Sequence, residues 1–574
     1  MSLPVILASK LTIPRLPAGG IVRARLAGAG APVLLLSAGP GYGKSMALWQ
    51  LADAARQAGT PVVWYGLDAL DVDVAGFFQH LAAGLKAYVP AFGDRLAALL
   101  AGGHRDARAL WGALFEEVAA YDLPGLLLVL DDAHHLSQHQ PDTLGGLLYH
   151  ADKLPAGVRV ALATRRKPDL PLARAVAAGA LEVIEAEALA FTPAEQEAFL
   201  QARADAGAIP PAWRARAEAL QGWPLGLHLV AAGMGGSPRA DVTGTDALMA
   251  YVAEEIYRVR PAAERAFMLR AALLEELTPD ACREAAAAPD AVALLQALEQ
   301  DHLVQRLGAG ERYRFPGYLQ AFLRAETERV HPELERMGWH ADAAAFYVRQ
   351  ARPEAALPHW LAAREWELAI AAGRAAFPRL FAAGRHDQAL AWVNLFPAPL
   401  GPGEAWLRLW RGQGLERAGR HEEAVLMYER ARAGFQGAGD AAGELTATVR
   451  LATQAVRQGA LQQFARLVQQ ATPLLVDGGD ADRADLLLAR AHVAATRGDE
   501  GLARECLQGV LQLSGADLAS RHVAARLALA EDDLVRGETA AALGHAEAAG
   551  ALGAQAGLAP ALVEADLARA RAFA

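Results

Sequence analysis

The chain has 574 residues, 53% hydrophobic and 21% charged, which is enough apolar material for several cored domains and excludes global disorder. A formal net charge of −10 excludes a general polyanion-binding surface. Cys282 and Cys506, the only cysteines, are too few for a disulfide framework; with no run of about 18 apolar residues and no signal-like start, a cytoplasmic protein is expected.

From about residue 30 to 190, short apolar strands alternate with helical stretches. Strands are predicted near 33–37, 61–66, 126–130, 158–163 and 181–185, in a parallel sheet with helices on both faces and a ligand at the strands' C-terminal edge. The first strand, Val33-Leu34-Leu35-Leu36, runs into Ala38-Gly39-Pro40-Gly41-Tyr42-Gly43-Lys44-Ser45 and then a helical stretch. That order reads as a phosphate-binding P-loop, with Ala38 where the strict pattern has glycine. Gly39, Gly41, Tyr42 and Gly43 form the cradle, where glycines let backbone N–H groups converge on phosphate oxygens. Lys44 reaches the β- and γ-phosphates, and the Ser45 hydroxyl ligates Mg²⁺. The cofactors expected are therefore ATP or ADP with Mg²⁺.

Further along, Leu126-Leu127-Leu128-Val129-Leu130 leads into Asp131-Asp132, the form of a Walker B strand. Asp131 is assigned to the metal and Asp132 to polarising the attacking water. The pair His135 and His139 has i, i+4 spacing but no glutamate between as in a zinc protease, so no transition metal is expected. The strand Val158-Arg159-Val160-Ala161-Leu162-Ala163 ends in Thr164-Arg165, and Arg165 is the candidate sensor of the γ-phosphate, with Arg166 or Arg174 as substitutes.

After Thr192 strand signals nearly vanish, apart from a short hairpin expected around residues 304–315, broken at Gly308-Ala309-Gly310. The C-terminal part repeats. Gly384, Gly419, Gly498 and Gly537 each precede an alanine by five residues, and with Gly459 included the steps are 35, 40, 39 and 39 residues. Gly412, Ala424, Tyr428 and Ala431 sit at offsets 0, 12, 16 and 19, which is tetratricopeptide spacing. Glycine ends the first helix of each pair and the small alanine lets the second pack close, giving a helical superhelix with a concave face for a ligand or partner.

Together these motifs resemble the MalT-like branch of the STAND signal-transduction ATPases, usually bacterial transcription regulators. The resemblance is carried by Ser9-Lys10-Leu11-Thr12-Ile13-Pro14, Val22-Arg23-Ala24-Arg25-Leu26, Val63-Trp64-Tyr65-Gly66-Leu67-Asp68, Leu130-Asp131-Asp132-Ala133-His134, Thr164-Arg165-Arg166-Lys167-Pro168 and Phe191-Thr192-Pro193-Ala194-Glu195. Family P-loops typically read Ala-Pro-Ala-Gly-Tyr-Gly-Lys-Thr, so Ala38 is ordinary there and Gly39-Pro40 and Ser45 are mild variants. Gly222-Trp223-Pro224 is similar to the family's Gly-x-Pro element, which implies that Pro224 packs on adenine.

The resemblance implies an α/β P-loop NTPase domain, an all-α winged-helix region and TPR-like α-superhelical repeats. The expected division is 1–190 P-loop domain, 191–240 helical subdomain, 241–330 winged helix, 331–400 helical linker and 401–574 repeats. It implies a switch held closed by ADP, opened and oligomerised by an inducer on the repeats plus ATP, and reset by slow hydrolysis. The family's histidine, in a Tyr-Arg-Tyr-His-His-Leu-Phe-like stretch that holds the resting nucleotide, is absent from Tyr313-Arg314-Phe315-Pro316-Gly317-Tyr318-Leu319. No basic, capped helix pair near residue 574 matches the family's LuxR-type effector. DNA control is therefore expected only through a missing effector domain or a partner, and no membrane contact is expected. The alternative is a stand-alone signalling ATPase or repeat scaffold working through protein partners. A metabolic kinase is the weakest reading, because the long helical repeat serves no small-substrate chemistry.

Overall fold

Five short apolar strands, β1 (Val33–Ser37), β2 (Val62–Gly66), β3 (Leu126–Asp131), β4 (Val158–Thr164) and β5 (Leu181–Glu185), form one parallel sheet in the order β2-β3-β4-β1-β5. All five coincide with the strands predicted from apolar runs. Every residue of β1 and β3 is buried, as a sheet covered by helices on both faces requires. The larger core sits where Phe77, Phe78, Trp111 and Leu114 pack against Val63, Tyr65, Leu128 and Leu130. Because the strands are parallel, their C-terminal ends share one edge. Ser37 pairs with Thr164 and Gly66 with Asp131, so the P-loop, Asp131 and Arg165 are brought side by side by register alone.

The computed structural model describes residues 6–573 apart from 15–20, 27–29, 72, 122, 203–208, 210, 233–243, 399, 477–478, 516–517 and 557–558. The expected boundary between helical subdomain and winged helix, at 240/241, falls outside the described residues. Two compact units emerge, Met1–His331 and Pro332–Ala574. Among the described residues no helix is long and apolar enough to cross a membrane.

Behind the sheet, the first unit continues through Pro193–Gln201, Pro211–Ala219 and Pro224–Ala232. The helix Gly244–Tyr251 then runs on as a π-helical turn, Val252–Tyr257. Helices Ala262–Ala271, Pro279–Glu284 and Ala291–Gln300 follow, and then an antiparallel hairpin, β6 (Gln305–Arg306) with β7 (Tyr313–Arg314), where the sequence led one to expect it. Helix Gly317–Val330 closes the unit.

The second unit is helical throughout its described residues. Gly384, Gly419, Gly459, Gly498 and Gly537 all have φ between 69° and 77° and lie in the turns between paired helices. The residue after each donates its N–H back to a carbonyl five residues earlier, as in Arg385 to Leu380 (2.9 Å) and Asp499 to Ala494 (2.9 Å). These are Schellman-type stops, which need the left-handed backbone that glycine adopts without penalty. The alanines five residues on, Ala389, Ala424, Ala503 and Ala542, are all buried, at most 8% exposed, and at the odd repeat the larger Phe464 fills the position. A Cβ at Gly412 would stand 2.5 Å from the Tyr428 ring, so this helix pair approaches only because Gly412 has none.

Candidate nucleotide-binding site

The P-loop leaves β1 and turns sharply at Gly41 (φ 78°) and Gly43 (φ 72°) before the helix Lys44–Gln57. Gly43 caps that helix without any side-chain hydrogen bond to its first N–H groups, so they face the cradle as anion donors. Lys44 is 7% exposed, and its ammonium donates to the loop's own carbonyls, Ala38 O at 2.7 Å and Gly39 O at 2.8 Å. Ser45 Oγ donates to Asp131 Oδ1 at 3.1 Å, which places the two expected Mg²⁺ ligands together. Asp131 is buried, and burial together with the neighbouring Asp132 pushes its carboxyl above the ordinary carboxylate value. A divalent cation would relieve that cost. The cradle, the buried ammonium and the hydroxyl–carboxylate pair are a donor set that suits a nucleotide phosphate with Mg²⁺.

Asp132 stands just past the end of β3 at φ 55°, a conformation uncommon outside glycine, asparagine and aspartate. Its carboxylate lies 3.5 Å from Arg165 Nε and is partly exposed. Arg165 thus comes to the same edge as Asp131, Asp132 and Lys44. Of its suggested substitutes, Arg166 turns away to Asp301 (3.2 Å). Arg174 lines a separate cavity with Tyr149 and Lys153 that includes no P-loop residue. His134 is buried beside Asp132, and burial and the neighbouring His135 lower it to about 4. The His139 side chain lies outside what the structure describes.

The motifs carrying the resemblance meet around this loop. Lys10 bridges Asp68 (2.7 Å) and Asp71 (2.8 Å), and the Tyr65 hydroxyl donates to Asp71 at 2.6 Å. Buried Arg23 donates to Gly43 O (2.6 Å) and Leu189 O (2.8 Å), and Arg25 pairs with Glu195 at 3.0 Å. Pro224 is half-buried between two anchors: the Trp223 indole donates to Pro40 O at 3.1 Å, and Leu225 N donates to Gly41 O at 3.0 Å. A Cβ at Gly41 would lie 2.7 Å from Leu225 Cβ and 2.8 Å from Trp223 Nε1, so the segment seats on the loop only because Gly41 is glycine.

Several functional contacts were invisible in the sequence. The Tyr42 side chain interacts with the buried Tyr318, whose ring stacks on Trp223 with centroids 4.0 Å apart. Tyr42 therefore contributes its backbone to the cradle while its side chain joins the C-terminal helices of the unit. His302 is hydrogen-bonded through Nε2 to Ser37 Oγ at 2.9 Å, at the very end of β1, and burial lowers it to about 4. The loop after β4 is tied to the same region. Lys167 N donates to Gln300 O (3.0 Å), Arg166 to the Gln300 side chain (3.0 Å), and Arg165 Nη1 stands 3.7 Å from Glu255. Asp301 is shared by Arg166 and Arg260. Contacts between residues so far apart in the chain leave no local pattern to read.

Burial, with Arg165 close by, lowers the Lys44 ammonium to about 8. Phosphate binds the protonated form and so raises its pKa again. Binding therefore takes up a proton only where the free amine has lost one. Affinity for ADP is expected to be full below about pH 8 and to fall by up to about tenfold per pH unit above it. Calorimetric titration at pH 7, 8 and 9 checks this; a flat profile would place Lys44 away from the phosphates.

The family model of the MalT winged helix domain matches residues 253–335. The serine/threonine-protein kinase PknK of Mycobacterium tuberculosis is 26% identical over 371 residues, 61% of this chain and 32% of that protein. The HTH-type transcriptional regulator AlkS of Ectopseudomonas oleovorans is 25% identical over 320 residues, 54% of this chain and 35% of that one. The chain thus spans about a third of the length of these curated relatives. Among solved structures, a STAND protein with a tetratricopeptide repeat sensor from Pyrococcus horikoshii aligns at TM-score 0.38 and 15% identity, over 98% of this chain and 87% of that one. A Walker-type ATPase of Pyrococcus abyssi aligns at 0.40 and 15%, over 53% and 95%. Residues 253–335 thus match the MalT winged helix domain, behind a P-loop sheet and ahead of paired helices.

Proposed function

We propose that this chain is an ATP/ADP-dependent signal-transduction switch of the regulator type, in which Mg²⁺-nucleotide at the P-loop decides whether the winged helix stays seated. The observation that carries this is the seating itself. Asp301 and His302, from the winged helix, engage Arg166 after β4 and Ser37 at the end of β1. Both anchor points adjoin the positions assigned to phosphate recognition, Arg165 and the P-loop. A change at the γ-phosphate that moves the loop after β4 would strain those bonds, so the nucleotide has different affinities for the closed and open states. In this reading an inducer on the repeats favours opening, ATP holds the open state and supports self-oligomerisation, and slow hydrolysis restores the closed one.

Asp301→Ala removes the carboxylate shared by Arg166 and Arg260 without touching the cradle. It is expected to speed dissociation of a fluorescent ADP by about tenfold, ~1.4 kcal/mol. With a non-hydrolysable ATP analogue it should shift the chain from monomer to a larger species in light scattering. An unchanged ADP off-rate would show that the winged helix does not guard the nucleotide.

A second reading has support from the relatives, a serine/threonine-protein kinase and an HTH-type transcriptional regulator. The matched stretch is compatible with more than one output, including action through protein partners alone. Both readings expect no discrete footprint from the 574-residue chain with ATP at near-physiological salt, and a protected site would show that the winged helix itself reads DNA. The regulator reading, with DNA control supplied by another segment or a partner, expects only weak, salt-sensitive association of this chain by itself.

A further inference from the structure

The five helices Trp366–Ala382, Glu404–Arg417, Ala441–Arg457, Asp480–Thr496 and Ala519–Val535 enclose a cavity of about 820 Å³. Each is the first helix of its pair, so the cavity occupies the inner face of the repeat array. Its size lies within the range of small-molecule sites, about 300–1,000 Å³.

Its lining combines an aromatic wall with an excess of fixed positive charge. Trp406 is partly buried, 5.8 Å from the fully buried Trp410, with the Arg374 guanidinium 4.6 Å over its ring. Across the cavity a single carboxylate serves two guanidiniums. Asp485 accepts from Arg521 at 2.7 and 2.9 Å and lies 3.2 Å from Arg450. Arg450 Nε is buried with no hydrogen-bond partner among the described residues. Five arginines against three carboxylates line the space. Arg374, Arg417 and Arg457 stand exposed at its rim, so the desolvation cost falls on the buried Arg450 Nε, which an entering acceptor would satisfy.

We propose that this cavity binds a small organic anion with a flat apolar body, its ring against Trp406 and its carboxylate between Arg450 and Arg521. The ring gains from burial on an aromatic wall, and the charge from a charge-assisted pair in a partly desolvated site. This names the chemical class of the inducer and rests on the reading that the repeats receive the signal.

The test uses the full chain and matched probes, 2-naphthoate against 2-naphthamide and benzoate against benzamide, by isothermal titration and thermal shift. Each carboxylate is expected to bind about tenfold or more tightly than its amide, and naphthoate more tightly than benzoate. Trp406→Ala and Arg521→Gln should each lose about tenfold for naphthoate. Arg374→Gln, at an exposed position, should lose a smaller factor. Equal binding of acid and amide, or unchanged binding in Arg374→Gln and Trp406→Ala, overturns the proposal. Naphthoate binding that leaves ADP dissociation unchanged keeps the anion site and sinks its link to the switch. Loss of carboxylate preference with a normal ADP and ATP response sinks the site alone.

Discussion

Lys44→Ala lowers the affinity for ADP and ATP by about 10- to 150-fold, ~1.5–3 kcal/mol, the worth of a charge-assisted hydrogen bond. The magnitude follows from the setting of this side chain. The ammonium is buried and held by two carbonyls of the loop that is to receive phosphate, Ala38 O at 2.7 Å and Gly39 O at 2.8 Å. A phosphate entering the cradle exchanges partial charges for full ones, in a site already stripped of water. Titration of wild type and variant with a fluorescent ATP analogue measures the difference. The variant's thermal midpoint, read alongside, separates lost binding from the cost of leaving two carbonyls without their donor. Equal affinities would remove the P-loop assignment.

Asp132→Asn slows single-turnover ATP hydrolysis by about 10²-fold or more while leaving ATP affinity within a few-fold. The substitution isolates chemistry from folding, because asparagine accepts the left-handed backbone that Asp132 adopts at φ 55°. What it removes is the carboxylate charge that would polarise water and that stands 3.5 Å from Arg165. Asp131, hydrogen-bonded to Ser45, is left unaltered. Hydrolysis at the wild-type rate would assign the water to another group, and a large loss of ATP affinity would place Asp132 in binding instead.

Four of the strands were legible because each is a short apolar run almost wholly buried, a pattern local in the chain and blind to partners, while the edge strand Leu181–Glu185 keeps the apolar alternation with part of its surface exposed. The P-loop was legible because Gly41 and Gly43 need a positive φ at fixed spacing before Lys44 and Ser45. For the same reason the repeat glycines announced the helical pairs: each stops a helix in a left-handed turn, and the next residue donates to a carbonyl five residues earlier. What local pattern cannot encode is the meeting of distant segments. His302 reaches Ser37 across 265 positions, and Trp223 reaches Pro40 across 183. Tyr42 read as a loop residue of the cradle, and only packing revealed its side chain interacting with Tyr318. Arg165, Arg166 and Arg174 were alike as loop arginines until the parallel register brought Arg165 to Asp132 and turned Arg166 to Asp301. Nor could periodicity alone convert five helices into one cavity in which Asp485 is shared by Arg450 and Arg521. Elements and phosphate chemistry follow from neighbours in the chain, where propensity, spacing and burial act within a few residues. The contacts of Asp301 and His302 with the sheet edge and the charge of the repeat cavity arise from tertiary structure, because their energies depend on groups that only folding brings within hydrogen-bonding distance.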